Sequence, residues 1–129
     1  MKRWTVVTIT SFVLIALVSP LHTGAAELKP MMAGWERYFT ITWEPAQSRG
    51  KSILQGYVSN TSPYDMHSLR LLVETLDAAG ETTSQRVAYV PGSVLGGARL
   101  YWEAPVEPAP TYRVRVFSYE RMELPSIIK

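Results

Sequence analysis

With 129 residues, no cysteine and 47% hydrophobic residues, the chain has room for one domain whose core must hold without disulfides. Thirteen basic groups face 11 acidic ones, and Lys2 and Arg3 account for the whole excess. Residues 27–129 are therefore neutral, lacking the basic footprint that a phosphate backbone requires, which argues against nucleic acid as a partner.

The N-terminal stretch reads as an export signal. Lys2 and Arg3 precede an apolar run, Trp4 to Val18, that ends before Pro20, and Gly24-Ala25-Ala26 offers the small residues a signal peptidase needs. Cleavage is expected after Ala26. The competing reading, an uncleaved anchor, is weaker because a run of about 15 residues falls short of the roughly 20 that span a hydrocarbon core. The expected location is thus the periplasm or the exterior, with membrane contact limited to passage of the signal. The predicted organisation is a signal peptide over 1–26, a leader over 27–34, a β-sandwich domain over 35–123 and a tail over 124–129.

Past the leader the pattern is strands and turns. Trp35, Phe39, Ile41 and Trp43 alternate with polar residues, the period-2 mark of a half-buried strand. Pro45 to Lys51 reads as a turn. Ser52 to Asn60 is a second strand with Leu54 and Val58 on one face, and Gly56 within it marks a bulge or a close backbone approach. A loop follows from Asn60 to Asp65. Ser68 to Asp77 is a third strand with Leu69, Leu71 and Val73 on one face, turning at Asp77-Ala78-Ala79-Gly80 into a return strand over Thr82 to Val90. After the loop Pro91 to Gly97, Arg99 to Glu103 is a short aromatic strand. A proline-stiffened connection then leads to Thr111 to Arg121, where Tyr112, Val114 and Val116 face one way and Arg113, Arg115, Phe117 and Tyr119 the other. Six to seven strands and no convincing helix predict an all-β fold, an antiparallel immunoglobulin-like β-sandwich. A small barrel is the alternative, because closure does not follow from alternation.

From Leu54 to Ser118 the chain resembles the bacterial FxLYD-type domains. The shared texture is Gly56-Tyr57-Val58-Ser59-Asn60, then Leu69-Arg70-Leu71-Leu72-Val73 running into Asp77 and Gly80, then Gly97 to Trp102 and Tyr112-Arg113-Val114-Arg115-Val116. Of the naming motif only Asp77 is present, in Val73-Glu74-Thr75-Leu76-Asp77. The resemblance implies an immunoglobulin-like module on an exported protein and carries over no functional residues.

Site chemistry is sparse. Gly50-Lys51-Ser52 matches the end of a phosphate-binding loop, but Pro45 stands where that loop needs glycine, and a strand follows instead of a helix. His67 is the only imidazole after residue 26, so no tetrahedral zinc set is expected, and no metal site or cofactor is assigned. A thioether copper site would have to gather Met31, Met32, Met66 and Met122 with His67, although methionine more often fills core gaps. Asp65, His67 and Ser68 are the right residue types for a hydrolase, but alternation sends His67 and Ser68 to opposite faces. No catalytic residue is assigned.

The aromatic residues carry the functional expectation. Tyr101 and Trp102 are neighbours on one strand and must point opposite ways, so one ring of such a pair is expected on an open surface. Tyr101, Trp102, Phe117 and Tyr119 are the candidate contacts for a protein or sugar. The leading expectation is a non-enzymatic interaction module whose partner is another envelope or secreted protein. A carbohydrate-binding domain is the alternative, with an envelope hydrolase or a copper-binding accessory protein third.

Overall fold

The structure, a computed structural model, describes residues 27–123; the expected signal peptide and C-terminal tail lie outside them. A 3₁₀ turn, Trp35–Arg37, leads into six strands: β1 (Phe39–Ser48), β2 (Lys51–Asn60), β3 (Met66–Leu76), β4 (Thr82–Val90), β5 (Arg99–Pro105) and β6 (Thr111–Arg121). They form two antiparallel three-stranded sheets, ordered β1-β2-β5 and β4-β3-β6. The fold is an all-β sandwich.

Alternation places the core. Leu54 and Val58 of β2 and Trp102 and Ala104 of β5 meet Leu69, Leu71 and Val73 of β3 and Val114 and Val116 of β6 between the sheets. Phe39 and Tyr119, packed edge to face with ring centroids 5.0 Å apart, close the side where β1 and β6 approach. Grooves between β4 and the β5 side of the other sheet mark the more open flank.

Two elements depart from the sequence reading. Trp35 lies in the 3₁₀ turn and not in the first strand, and β1 continues through Pro45 to Ser48, leaving only Arg49 and Gly50 as the turn. Both turn residues have positive φ, 52° and 74°, the geometry that matches the twist of a two-residue hairpin. Pro45 is tolerated because β1 is an edge strand. Past Ile41 both faces of β1 are largely exposed, so Trp43 is not a core residue. At Gly56 the backbone of β1 comes so close that an added Cβ would lie 1.8 Å from the Thr42 carbonyl oxygen. That is the close approach the glycine permits.

From Leu71 to Thr75, β3 is covered on both faces. Its inner residues meet the core, while Leu72 and Glu74, on the outer face, are also fully buried. Glu74 receives Arg113 Nε at 2.6 Å, further ion pairs from the terminal nitrogens of Arg113 and Arg115, and Gln85 Nε2 at 3.3 Å. Gln85 also bonds the leader, donating to the Leu28 carbonyl and accepting from its N–H. The Met31 N–H then donates to the Phe117 carbonyl on β6. The leader therefore runs across this face from β4 to the β6 edge. It is a strap and not a loose lead-in.

Asn60 plays a comparable part at the end of β2. It is 1% exposed, its Nδ2 donates to the Tyr64 and Val94 carbonyls, and its Oδ1 accepts from the backbone and hydroxyl of Ser62. One amide thus ties the 61–65 loop to the 91–98 loop. The same bonds occupy the nitrogen that a glycan would need at Asn60-Thr61-Ser62.

Two measurements check these anchors. Asn60→Ala removes four hydrogen bonds at a buried position, leaving the Ser62 N–H without its acceptor, and is expected to lower unfolding stability by about 2–3 kcal/mol in urea. An unchanged midpoint would contradict the anchoring role. Burial alone would raise the Glu74 pKa, but hydrogen bonds from Arg115 and Arg113 and the charge of Arg115, helped by Gln85, hold it below the ordinary 4.5. The carboxylate's contribution is therefore complete above pH 4.5 and lost as pH falls through the lower folded value. Glu74→Gln is expected to lower stability at pH 7 and flatten the acid limb of a pH series of denaturation curves.

Candidate functional site

Of the four aromatic candidates, the structure leaves Tyr101 on the surface, 50% exposed. Trp102, its neighbour, points inward and is 4% exposed, packed in the core opposite Gly56. Tyr119 is also a core residue, 9% exposed, and burial, then the nearby Tyr38, raises its phenol pKa. Alternation failed there for a definite reason. β6 holds an extra residue, Phe117, between the pairs Leu71–Val116 and Arg70–Ser118, and this bulge reverses the faces beyond it. Phe117 itself is half-buried. Trp102 and Tyr119 are thus corrected from surface contacts to core residues.

Tyr101 belongs to a regular surface on the outer face of the β1-β2-β5 sheet. Register places Thr42, Tyr57 and Tyr101 in one cross-strand row, Glu44, Gln55 and Glu103 in the next, and Thr40, Ser59 and Arg99 on the other side. The Tyr101 hydroxyl donates to Gln55 Oε1 at 3.1 Å and Glu103 Oε2 at 3.2 Å, so the ring leans along the sheet toward the acidic row. Partial loss of solvent, then the Glu103 carboxylate, raises its phenol pKa. Tyr57 meets Tyr101 edge to face at 5.8 Å, and the Arg99 guanidinium lies 4.2 Å from the Tyr57 ring centre. Where β1 crowds Gly56, Tyr57 N–H donates to Thr42 Oγ1 at 3.2 Å. Beside this distortion lies an open depression of about 370 Å³ lined by Thr42, Trp43, Glu44, Gln55, Gly56, Tyr57 and Tyr101. Trp43 and Tyr57, which the sequence reading did not single out as contacts, are among the residues that line it. The cue was Tyr57 on the solvent face of β2, opposite Leu54 and Val58.

A second cluster differs from its sequence reading. His67 and Ser68 do not face apart: Ser68 adopts φ 52° within an irregular stretch of β3, and its Oγ lies 3.0 Å from His67 Nδ1. Glu120 Oε2 is 3.5 Å from the same nitrogen. A hydrolytic relay needs the hydroxyl and the carboxylate on opposite ring nitrogens, so that the base is oriented from behind while it takes the proton. Here both contact Nδ1. Asp65 is occupied elsewhere, accepting the Gly96 N–H at 2.9 Å. The copper candidates are divided as well. Met66 is sealed in the core, whereas the adjacent His67 faces Ser68 and Glu120. Among the described residues no group of three or more His, Asp or Glu side chains is placed to hold a metal ion. Gly50-Lys51-Ser52 forms the end of the hairpin turn and the start of β2, not a phosphate loop.

No protein-family model, curated protein or solved structure matches this chain.

The opposed settings of Tyr101 and Trp102 give a direct check. Trp102→Ala is expected to cost about 3–5 kcal/mol, the usual range for emptying a large aromatic site in a core. Tyr101→Ala should leave the denaturation midpoint nearly unchanged. Equal losses from the two variants would contradict the inward and outward assignment.

Proposed function

We propose that the protein is a non-enzymatic interaction module of the envelope or exterior, and that it contacts its partner through the outer face of the β1-β2-β5 sheet. The observation that carries this reading is Tyr101, half-exposed on the outer sheet face and pinned by Gln55 and Glu103. A ring whose orientation is already fixed loses little side-chain freedom when a partner covers it. The leader crosses part of the outer side of the other sheet, where Tyr89 and Val87 of β4 nevertheless stay exposed. The strand order β1-β2-β5 against β4-β3-β6 supports the immunoglobulin-like reading, and the Lys2-Arg3 start with its apolar run supports export.

The test is a photocrosslinking residue placed at Thr42 and, separately, at Val87 on the other sheet, in the cells that make the protein. Thr42 is expected to give a discrete, reproducible protein adduct and Val87 none. No adduct from Thr42, or the same adducts from both positions, would remove the proposed face.

Carbohydrate binding on the same face is a second reading, favoured by the leaning Tyr101 ring beside Glu44, Gln55 and Glu103. A sugar's apolar face would stack on the ring while the polar row took its hydroxyls. Trp43 lines the depression, so titration with cell-wall and plant polysaccharides is expected to change tryptophan fluorescence. A flat response to all of them would eliminate this reading.

A further inference from the structure

We infer that the partner joins the protein at β5: an extended segment of it adds antiparallel to the free edge of this strand, with its inward residues in the depression between β5 and β4. This rests on the outer face of the β1-β2-β5 sheet being the recognition surface. The sandwich has four edge strands, β1, β5, β4 and β6, and three of them are obstructed. β1 contains Pro45 and is crowded where it passes Gly56. β6 bulges at Phe117, whose carbonyl already accepts the Met31 N–H of the leader. β4 has its register broken opposite Leu76 and takes the leader onto Gln85. β5 is different. It pairs with β2 from Arg99 to Pro105 in unbroken register, and among the described residues no loop or turn bonds to its backbone. Such an edge presents unpaired N–H and C=O groups, the template on which another strand forms.

The depression beside that edge supplies room for side chains. It measures about 260 Å³ and is lined by Ala88, Val90 and Pro91 on one side and Tyr101, Trp102 and Glu103 on the other. Val90 and Trp102 belong to the core and Ala88 packs against it, so an apolar side chain entering here extends the existing core. Trp102 also carries a buried indole N–H with no hydrogen-bond partner. Unpaired buried donors are exceptions in folded proteins, and a chain laid along β5 brings carbonyl groups to this flank.

Charge sets the direction and composition of the segment. Along its outer face β5 presents Arg99, then Tyr101, then Glu103. Opposed residues on neighbouring antiparallel strands lie close enough for opposite charges to attract and like charges to repel. The complementary segment therefore begins with a basic residue opposite Glu103 and ends with an acidic one opposite Arg99. Between them, the residues opposite Leu100 and Trp102 are apolar and branched, and the one opposite Tyr101 faces solvent.

The experiment titrates the purified protein with a capped peptide, Ser-Lys-Val-Thr-Val-Glu-Ser, and follows it by two-dimensional NMR. Saturable shifts are expected at the β5 amides and the Trp102 indole N–H, with slowed hydrogen exchange at alternate β5 amides. Exchanging the peptide's Lys and Glu is expected to weaken binding about fivefold, because both end pairs become like charges. Proline in place of its Thr is expected to abolish binding, since it removes a ladder donor. Glu103→Lys is expected to reverse the preference between the two charge orders. No saturable shift with the first peptide, equal binding of both charge orders, or shifts that spare β5 would overturn the inference. If the Thr42 crosslink persists in that case, only strand addition falls; loss of both removes the face itself.

Discussion

Because β3 is hydrogen-bonded to β4 on one side and β6 on the other, its outward residues lie in the middle of a face where solvent has least access. Leu72 tolerates that place, but Glu74 does not without compensation, since a buried carboxylate loses its hydration. Arg113 and Arg115 on β6 and Gln85 on β4 supply the missing partners. The consequence reaches beyond the ion cluster. Gln85, held against Glu74, offers its amide to Leu28, and the leader docks across the sheet. One buried charge thus registers three strands and fixes the path of the chain before β1.

The first sheet is built the other way. Its inner face gives Leu54, Val58 and Trp102 to the core, and its outer face has no strap. The polar groups there satisfy one another laterally: Tyr101 with Gln55 and Glu103, Tyr57 with Thr42, Arg99 over Tyr57. These contacts hold rings in place without covering them. The two sheets therefore differ in build, one strapped over a buried charge cluster with Tyr89 and Val87 of β4 left exposed, the other with its outer aromatic residues held laterally.

Much of this was legible in the sequence where neighbours obey simple alternation. β4 and β6 have the predicted ends, and Leu54, Val58, Leu69, Leu71 and Val73 face the core as their spacing implies. Gly56 announced a close approach, and one follows. What escaped was set by pairing between distant strands. The bulge at Phe117 turns Tyr119 inward, and the irregularity at Ser68 brings its hydroxyl to His67; neither leaves a mark in local spacing. Pro45 suggested a turn because a proline removes a donor, yet an edge strand has a side on which no donor is needed. The Tyr101-Trp102 pair required one ring in and one out, but the choice depended on which face of β5 met the second sheet. The Glu74 cluster was hidden for the same reason, its four members lying on three strands.

The division into a strapped sheet and one with laterally held aromatic residues is tested most directly by hydroxyl-radical footprinting of the folded protein, read residue by residue by mass spectrometry. The account predicts fast oxidation at Trp43 and Tyr101, and strong protection at Trp102, Tyr119 and Leu72, all lost together on unfolding. Oxidation of Trp102 as fast as Tyr101, or of Leu72 as fast as an exposed leucine, would contradict it.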